Sequence, residues 1–209
     1  FDHLVIAIGQ ESNLEIVPGL KDHAFSMRNL KDAYSLRNHI LGCLELADVT
    51  KDLKLKERLL SFVVVGGGFS GVETVGEIKD MVDKALPYYS NISSDETMFH
   101  IIEAAENILP ELGSEVSTYT EKVFKADGIK LYLKSSLKHV SASKVFINNN
   151  DSISTNTVIS TIGSTVSKLI KNSTLPLKNG KIITNSSLQV KGYENIWAVG
   201  DSALIPNKF

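Results

Sequence analysis

The chain has one cysteine, Cys43, among its 209 residues. It can therefore form no internal disulfide, no Cys-x-x-Cys redox pair and no cysteine-rich metal site, and a reducing, cytoplasmic compartment is the default expectation. An excess of charge of either sign is also lacking: 22 Lys and Arg against 24 Asp and Glu leave a formal net charge of −2. No basic run of the kind that neutralises phosphate backbones occurs, so nucleic acid is excluded as a partner class. Long apolar runs are missing too. Residues 4–8 and 62–65 fall far short of the ~20 residues of a membrane-spanning helix, and no charged, apolar and small-residue order marks a signal peptide. His3, His23, His39, His100 and His139 are scattered without ligand spacing, so no metal is expected. The absence of a GxSxG or P-loop sequence argues against hydrolase and nucleotide-triphosphatase chemistry.

What the chain does contain is an apolar run, Phe62-Val63-Val64-Val65, that leads into Gly66-Gly67-Gly68-Phe69-Ser70-Gly71 and then Val72-Glu73. Val72, Val75, Ile78, Val82 and Leu86 recur at helical spacing after it, while Asp80 and Lys84 are placed to pair on a wetter face. In a strand–turn–helix unit of this kind Gly66 permits the tight turn. Gly68 lets backbone approach a pyrophosphate, and Gly71 lets helix pack on strand, with helix N-terminal amides facing the phosphates. Residues 66–71 are thus a candidate dinucleotide cradle, although a glycine-rich turn by itself need mean no more than a left-handed backbone.

The next strand of such a unit is expected over residues 98–103, after a polar loop around residues 89–96. Glu103 at its end is placed to accept hydrogen bonds from the adenosine ribose, a role usually found about 20 residues beyond the glycines; the gap here is longer, so either the helix and loop are extended or Glu103 is an ordinary strand-end carboxylate. Glu103 and Glu106 would both oppose the extra phosphate of NADPH, and residues 104–109 hold no Arg or Lys, which favours NADH. Elsewhere, Asn29 and Asp32 offer a cap for a helix over residues 30–47 with a stripe of Ala33, Leu36, Ile40, Leu44 and Ala47. Residues 51–58 read as a solvated helix end or linker near a domain boundary. A helix over 111–127 capped by Gly128, a strand over 129–133, and a hairpin or meander around Val140 and residues 145–147 follow, with residues 148–151 as turn chemistry. Three apolar strands end in glycine: residues 4–9, 158–163 and 196–200. Ligands in open α/β sheets lie at such strand ends.

Taken in order, these residues resemble the flavin-dependent pyridine nucleotide oxidoreductases, and within them the type II NADH:quinone dehydrogenases. Residues 1–9 resemble the strand that closes the first flavin-domain segment and residues 66–73 the NADH motif. Thr161-Ile162-Gly163 is similar to the family's ATG-like element, and residues 196–201 resemble the second flavin motif. The resemblance implies that Gly66, Gly67, Gly68, Phe69, Ser70 and Gly71 hold the NADH pyrophosphate. It implies that Glu103 holds the ribose and that Glu73 lies near the nicotinamide and flavin as the catalytic position. Gly9, Thr161, Gly163, Gly200 and Asp201 would also contact cofactor, Asp201 at the flavin's ribityl or phosphate region. Glu73 could instead compensate a helix dipole, and Asp201 could simply cap a helix before Ala203.

The fold expected is α/β: a Rossmann-like three-layer nucleotide-binding domain with an antiparallel β flap, plus part of a second, flavin-type dinucleotide-binding domain. Residues 59–165 would bind NADH, and 1–58 and 166–209 would belong to the flavin domain, with the first strand and residues 196–199 in one sheet. The resemblance implies NADH and FAD as cofactors and hydride passing from NADH to flavin and on to quinone. It also implies a peripheral position on the cytoplasmic face of the inner membrane, contact through a C-terminal region beyond this sequence, and a possible homodimer. The alternatives are a soluble flavin-dependent NADH reductase with another acceptor, or a non-catalytic nucleotide-binding sensor. Because the sequence opens on Phe1 and lacks the glycine-rich flavin motif, a fragment with material missing on both sides is expected, binding NADH but inactive alone.

Overall fold

Ser61 and the four β-branched or aromatic residues after it offer water no polar face, and the strand they form is buried along its whole length. Such a strand needs neighbours on both sides and layers on both faces. The computed structural model, which describes residues 1–148 and 151–206, supplies them. In chain order the strands are β1 (Leu4–Ile6), β2 (Gln10–Ser12), β3 (Ala24–Ser26), β4 (Ser61–Val65), β5 (Met98–Ile102), β6 (Ile129–Tyr132), β7 (Leu137–Ser141), β8 (Lys144–Ile147), β9 (Asp151–Ser154), β10 (Thr157–Ser160), β11 (Ser164–Val166), β12 (Leu177–Lys178), β13 (Lys181–Ile183), β14 (Ile196–Ala198) and β15 (Ala203–Leu204). The helices are α1 (Leu20–His23), α2 (Leu30–Val49), α3 (Leu53–Leu59), α4 (Phe69–Ala85), α5 (Ser114–Ala126) and α6 (Lys168–Lys171). None of the described helices is long and apolar enough to cross a membrane.

The chain divides into two compact units, one of Leu14–Ile162 and one of Phe1–Asn13 with the chain from Gly163 onward. In the larger unit five parallel strands lie in the order β3-β10-β4-β5-β6. Alternation divides their side chains between two cores. Phe62, Val64, Phe99, Ile101 and Ile159 face Leu36, Ile40 and Leu44 of α2, Val75, Ile78 and Val82 of α4, and Phe124 of α5. Val63, Val65, Ile102 and Val158 face Val140, Val145, Ile147 and Ile153 of the antiparallel sheet β7-β8-β9. Helices, parallel sheet and antiparallel flap make the three layers. In the smaller unit β1 pairs in parallel with β14 (Leu4 with Ile196), the joining of flanks expected from the sequence, and β2 pairs antiparallel with β11. Val166, Ile170, Ile182, Val190, Ile196 and Ala198 form its core.

Several expectations are corrected. The first boundary falls at Asn13 and Leu14 and not near residue 58, because β3 hydrogen-bonds to β10 inside the larger sheet and α2 shares the core of β4. Residues 51–58 are no linker: Asp52 caps α3 through the amides of Lys54 and Leu55, and Lys56 pairs with Glu96 at 2.6 Å. The helix expected from residue 111 begins at Ser114, after a 3₁₀ turn at Pro110–Leu112. Part of the turn over residues 148–151, Asn149 and Asn150, lies outside the described residues.

The start of α2 is the best-defined local device. Asn29 Oδ1 accepts from the Asp32 amide (3.1 Å), and Asp32 Oδ2 accepts from the amides of Arg28 (2.9 Å) and Asn29 (3.3 Å) and from Ser26 Oγ (2.7 Å). Burial alone would raise the Asp32 carboxyl, but these donors outweigh it and hold the group below the ordinary carboxylate range. A carboxylate so held stabilises the fold above its unfolded pKa and loses that contribution as pH falls through the folded one. Asp32→Asn is expected to lower the thermal midpoint at neutral pH. The gap from the parent should begin to narrow below about pH 4, near the unfolded carboxylate's range, and close as pH falls through the lowered folded value; a gap that persists in acid would assign the loss to shape instead of charge.

Candidate functional site

The turn after β4 is built by contacts that tolerate no side chain. Gly66 has φ +108°, and a Cβ there would lie 2.6 Å from Thr161 Oγ1 and 2.7 Å from Ile162 Cγ2. A Cβ on Gly71, in the first turn of α4, would strike the carbonyl oxygen of Gly66. The helix is thereby pressed onto the end of its strand. Gly68, the residue before α4, has φ −74° and open space where a side chain would begin. No side chain caps α4, and its first turn carries no acidic residue. Its leading amides are left for an anion, which the helix dipole also favours. The half-exposed Gly68 and exposed Phe69 and Ser70 face outward, while Gly66, Gly67 and Gly71 are buried.

Glu103 follows β5, the neighbour of β4, and is half-buried. Its Oε2 accepts from the Gly67 amide at 2.6 Å and its Oε1 from the Ala105 amide at 2.7 Å. The carboxylate thus ties the middle of the glycine turn to the adjacent strand end. Each oxygen retains a further lone pair, so the same group can also accept from a ribose hydroxyl. Thr161, after β10, donates its hydroxyl to the Val65 carbonyl at 2.9 Å, and its amide donates to the same oxygen. The residue braces the turn from below and does not project its hydroxyl outward. Residues 66–71, Glu103 and Thr161 therefore meet at the carboxyl ends of three neighbouring parallel strands.

Glu73 is exposed in the second turn of α4. Dipole compensation fades beyond the first turn, so that explanation of Glu73 is weak. The carboxylate lines a groove of about 480 Å³ between α2 and α4, with Arg37, Glu77 and the apolar Leu36, Ile40 and Met81. In the smaller unit Gly9 and Gly200 follow the paired strands β1 and β14, each with nothing within 4 Å of where a side chain would start, and Ser202 Oγ donates to the Gly9 carbonyl. Asp201 is exposed in the 3₁₀ turn Gly200–Ser202; a strand, β15, follows it, so it caps no helix before Ala203. Gly163 precedes β11 in the same unit.

Three residues near the turn escaped the sequence reading. Ile108 packs where a Gly67 Cβ would lie, and the Leu109 amide donates to the Gly67 carbonyl, so residues 103–109 close over the cradle. Lys134, beyond β6, is ion-paired with Glu106, whose carboxyl is held low by that partner. Lys134 lies well outside residues 104–109 in the chain. The parallel register of β5 with β6, Ile102 beside Tyr132, is the signal that would have placed it. Among the described residues no group of three or more His, Cys, Asp or Glu side chains could hold a metal.

These contacts separate two glycines that look alike in the motif. Gly71→Ala should destabilise the fold by roughly 1–3 kcal/mol through overpacking against the Gly66 carbonyl. Gly68→Ala should leave the melting temperature unchanged and weaken dinucleotide binding, which thermal melts and a binding titration of both variants will check.

The model of the family described as pyridine nucleotide-disulphide oxidoreductase matches residues 1–208. The chain is 30% identical to the mitochondrial external alternative NADH-ubiquinone oxidoreductase of Yarrowia lipolytica, over 96% of this chain and 37% of that protein. It is 35% identical to a demethylphylloquinone reductase of Synechocystis, over 97% of this chain and 46% of the relative. A solved structure of NDH2 from Plasmodium falciparum in complex with NADH superposes with a TM-score of 0.90 at 26% identity, covering 98% of this chain and 44% of that one. The chain thus spans less than half the length of each of these proteins. With a family match over nearly its whole length, and with the glycine turn, flap and paired flanking strands in place, the chain belongs to the pyridine nucleotide-disulphide oxidoreductase family.

Proposed function

We propose that the larger unit, Leu14–Ile162, binds NADH, and that the smaller unit is part of the FAD-binding domain of an NADH:quinone oxidoreductase. The observation that carries this is the uncapped start of α4 beside the open face of Gly68, with Glu103 anchored at the next strand end. Pyrophosphate would take the free amides of the first turn, and adenosine ribose the remaining lone pairs of Glu103. In the smaller unit the open faces of Gly9 and Gly200, with Asp201 and Gly163, fit a flavin's approach to strand ends. When bound, FAD supplies the hydride acceptor; what this chain's residues contribute is binding and orientation. Glu73 is assigned to the nicotinamide end, since it is exposed one turn further along α4 from the pyrophosphate amides. Quinone as final acceptor is supported by the names of the relatives, and a lipid-soluble acceptor calls for a peripheral place at the membrane.

NADH preference belongs to the same reading. Lys134 is the cation beside the ribose position, and Glu106 already neutralises it. Two carboxylates and one spent ammonium leave nothing for a 2′-phosphate. Titrating the chain with NADH and with NADPH, by energy transfer from its aromatic residues, should give saturable NADH binding and much weaker NADPH binding. Glu103→Gln should weaken NADH, because an amide cannot accept from both Gly67 and Ala105. Glu106→Gln, which frees Lys134, should narrow the NADH preference. Equal affinity for both nucleotides in the parent, or no binding at all, would defeat the assignment.

A further inference from the structure

A second cluster of polar groups lies in the larger unit, away from the glycine turn and toward the amino ends of β4 and β5. On the face of the parallel sheet that meets the flap, Val63 and Val65 of β4 and Ile102 of β5 are apolar. The same face carries Ser61 on β4, His100 on β5 level with Val63, and Lys130 and Tyr132 on β6. Together with Ser152 and Ser154 of β9, Met98, and Glu57 of α3 at the rim, they line a cavity of about 230 Å³. Ser61 is 3% and His100 4% exposed, yet Ser61 Oγ and His100 Nδ1 are buried with no hydrogen-bond partner. Arg58 Nε and Asn156 Oδ1 are also unpaired, but neither residue lines this cavity. Native interiors rarely leave such groups unpaired, because each forfeits a hydrogen bond it would have had in water.

We propose that this cavity binds a small oxyanion, of inorganic phosphate or short-chain carboxylate size. The Lys130 ammonium and the Ser61 hydroxyl are its donors, and the His100 ring a further one, with Ser152 and Ser154 of β9 on the wall opposite. Glu57 is the one carboxylate among the lining residues, and it is exposed and can turn to water. The inference does not rest on the NADH reading.

Charge linkage sharpens it. Burial first, and the Lys130 charge second, push His100 down to about 4, so the ring is neutral in the empty cavity. The other groups facing it are Glu57 from α3 and, from β6, Tyr132, whose phenol is raised by burial and by Asp151 at the start of β9. A bound anion offsets the Lys130 charge and favours the protonated ring, so binding takes up a proton and tightens as pH falls.

The test is nuclear magnetic resonance of the full chain with ¹⁵N-labelled histidine, titrated with inorganic phosphate and separately with acetate, each with and without saturating NADH. The expected result is a saturable shift of the His100 ring signals for phosphate, acetate or both, unaffected by NADH and stronger in acid. Lys130→Gln, an exposed site where folding is not at stake, should weaken it about tenfold, the loss of one charge-assisted hydrogen bond. Ser61→Ala should weaken it less. No shift with either anion, an unchanged affinity in Lys130→Gln, or loss of the shift when NADH is present would overturn the proposal. So would a crystal grown in phosphate that shows only a water between Ser61 and His100.

Discussion

The close approach of α4 to the end of β4 is the constraint from which the rest of the larger unit follows. It exists because Gly71 presents a bare Cα to the Gly66 carbonyl. With the helix that near, its leading amides open directly above the strand end, and the turn is short enough for Glu103 and Thr161 to reach its backbone from the strands on either side. Those two side chains convert a flexible glycine run into a fixed surface. Three parallel strands are therefore needed to make one turn rigid, which is why the cradle sits inside the sheet and not at its edge.

Much of this was legible in the sequence where the governing chemistry is local. The apolar run, the glycines and the helical stripe after them announce their own structure within 25 or so residues, on the scale of one strand–helix unit. Asn29 and Asp32 likewise cap α2 as their spacing indicates. What was not legible is non-local. The strand Ala24–Ser26 is three residues long with no alternation to mark it, and only its pairing with residues far along the chain, Val158 to Ser160, draws α2 into the larger unit. The Cys43 side chain joined the core stripe of α2 for the same reason, since its neighbour Thr157 comes from β10.

The site residues divide the same way. Gly66, Gly68 and Gly71 were identified by position, but their distinct duties became visible only when the atoms around each absent side chain were known. Thr161, expected at the cofactor, has both its hydroxyl and its amide on the Val65 carbonyl, a bond across strands that no local motif announces. Lys134 was invisible because a cation was sought along the chain, whereas parallel strands bring together residues that follow different strands.

In the smaller unit, β2 and β11 form an antiparallel ribbon whose ends are closed by the Asn13 amide on the Gly163 carbonyl at 2.5 Å. In an ordinary hairpin a few residues would join those ends. Here the connecting loop is the entire larger unit, residues 14–162. Its entry and exit points are already side by side, so closing that loop asks little beyond the folding of the inserted unit itself. The larger unit is thus an insertion in the chain of the smaller one, and the two ends it interrupts are held by the ribbon's own hydrogen bonds.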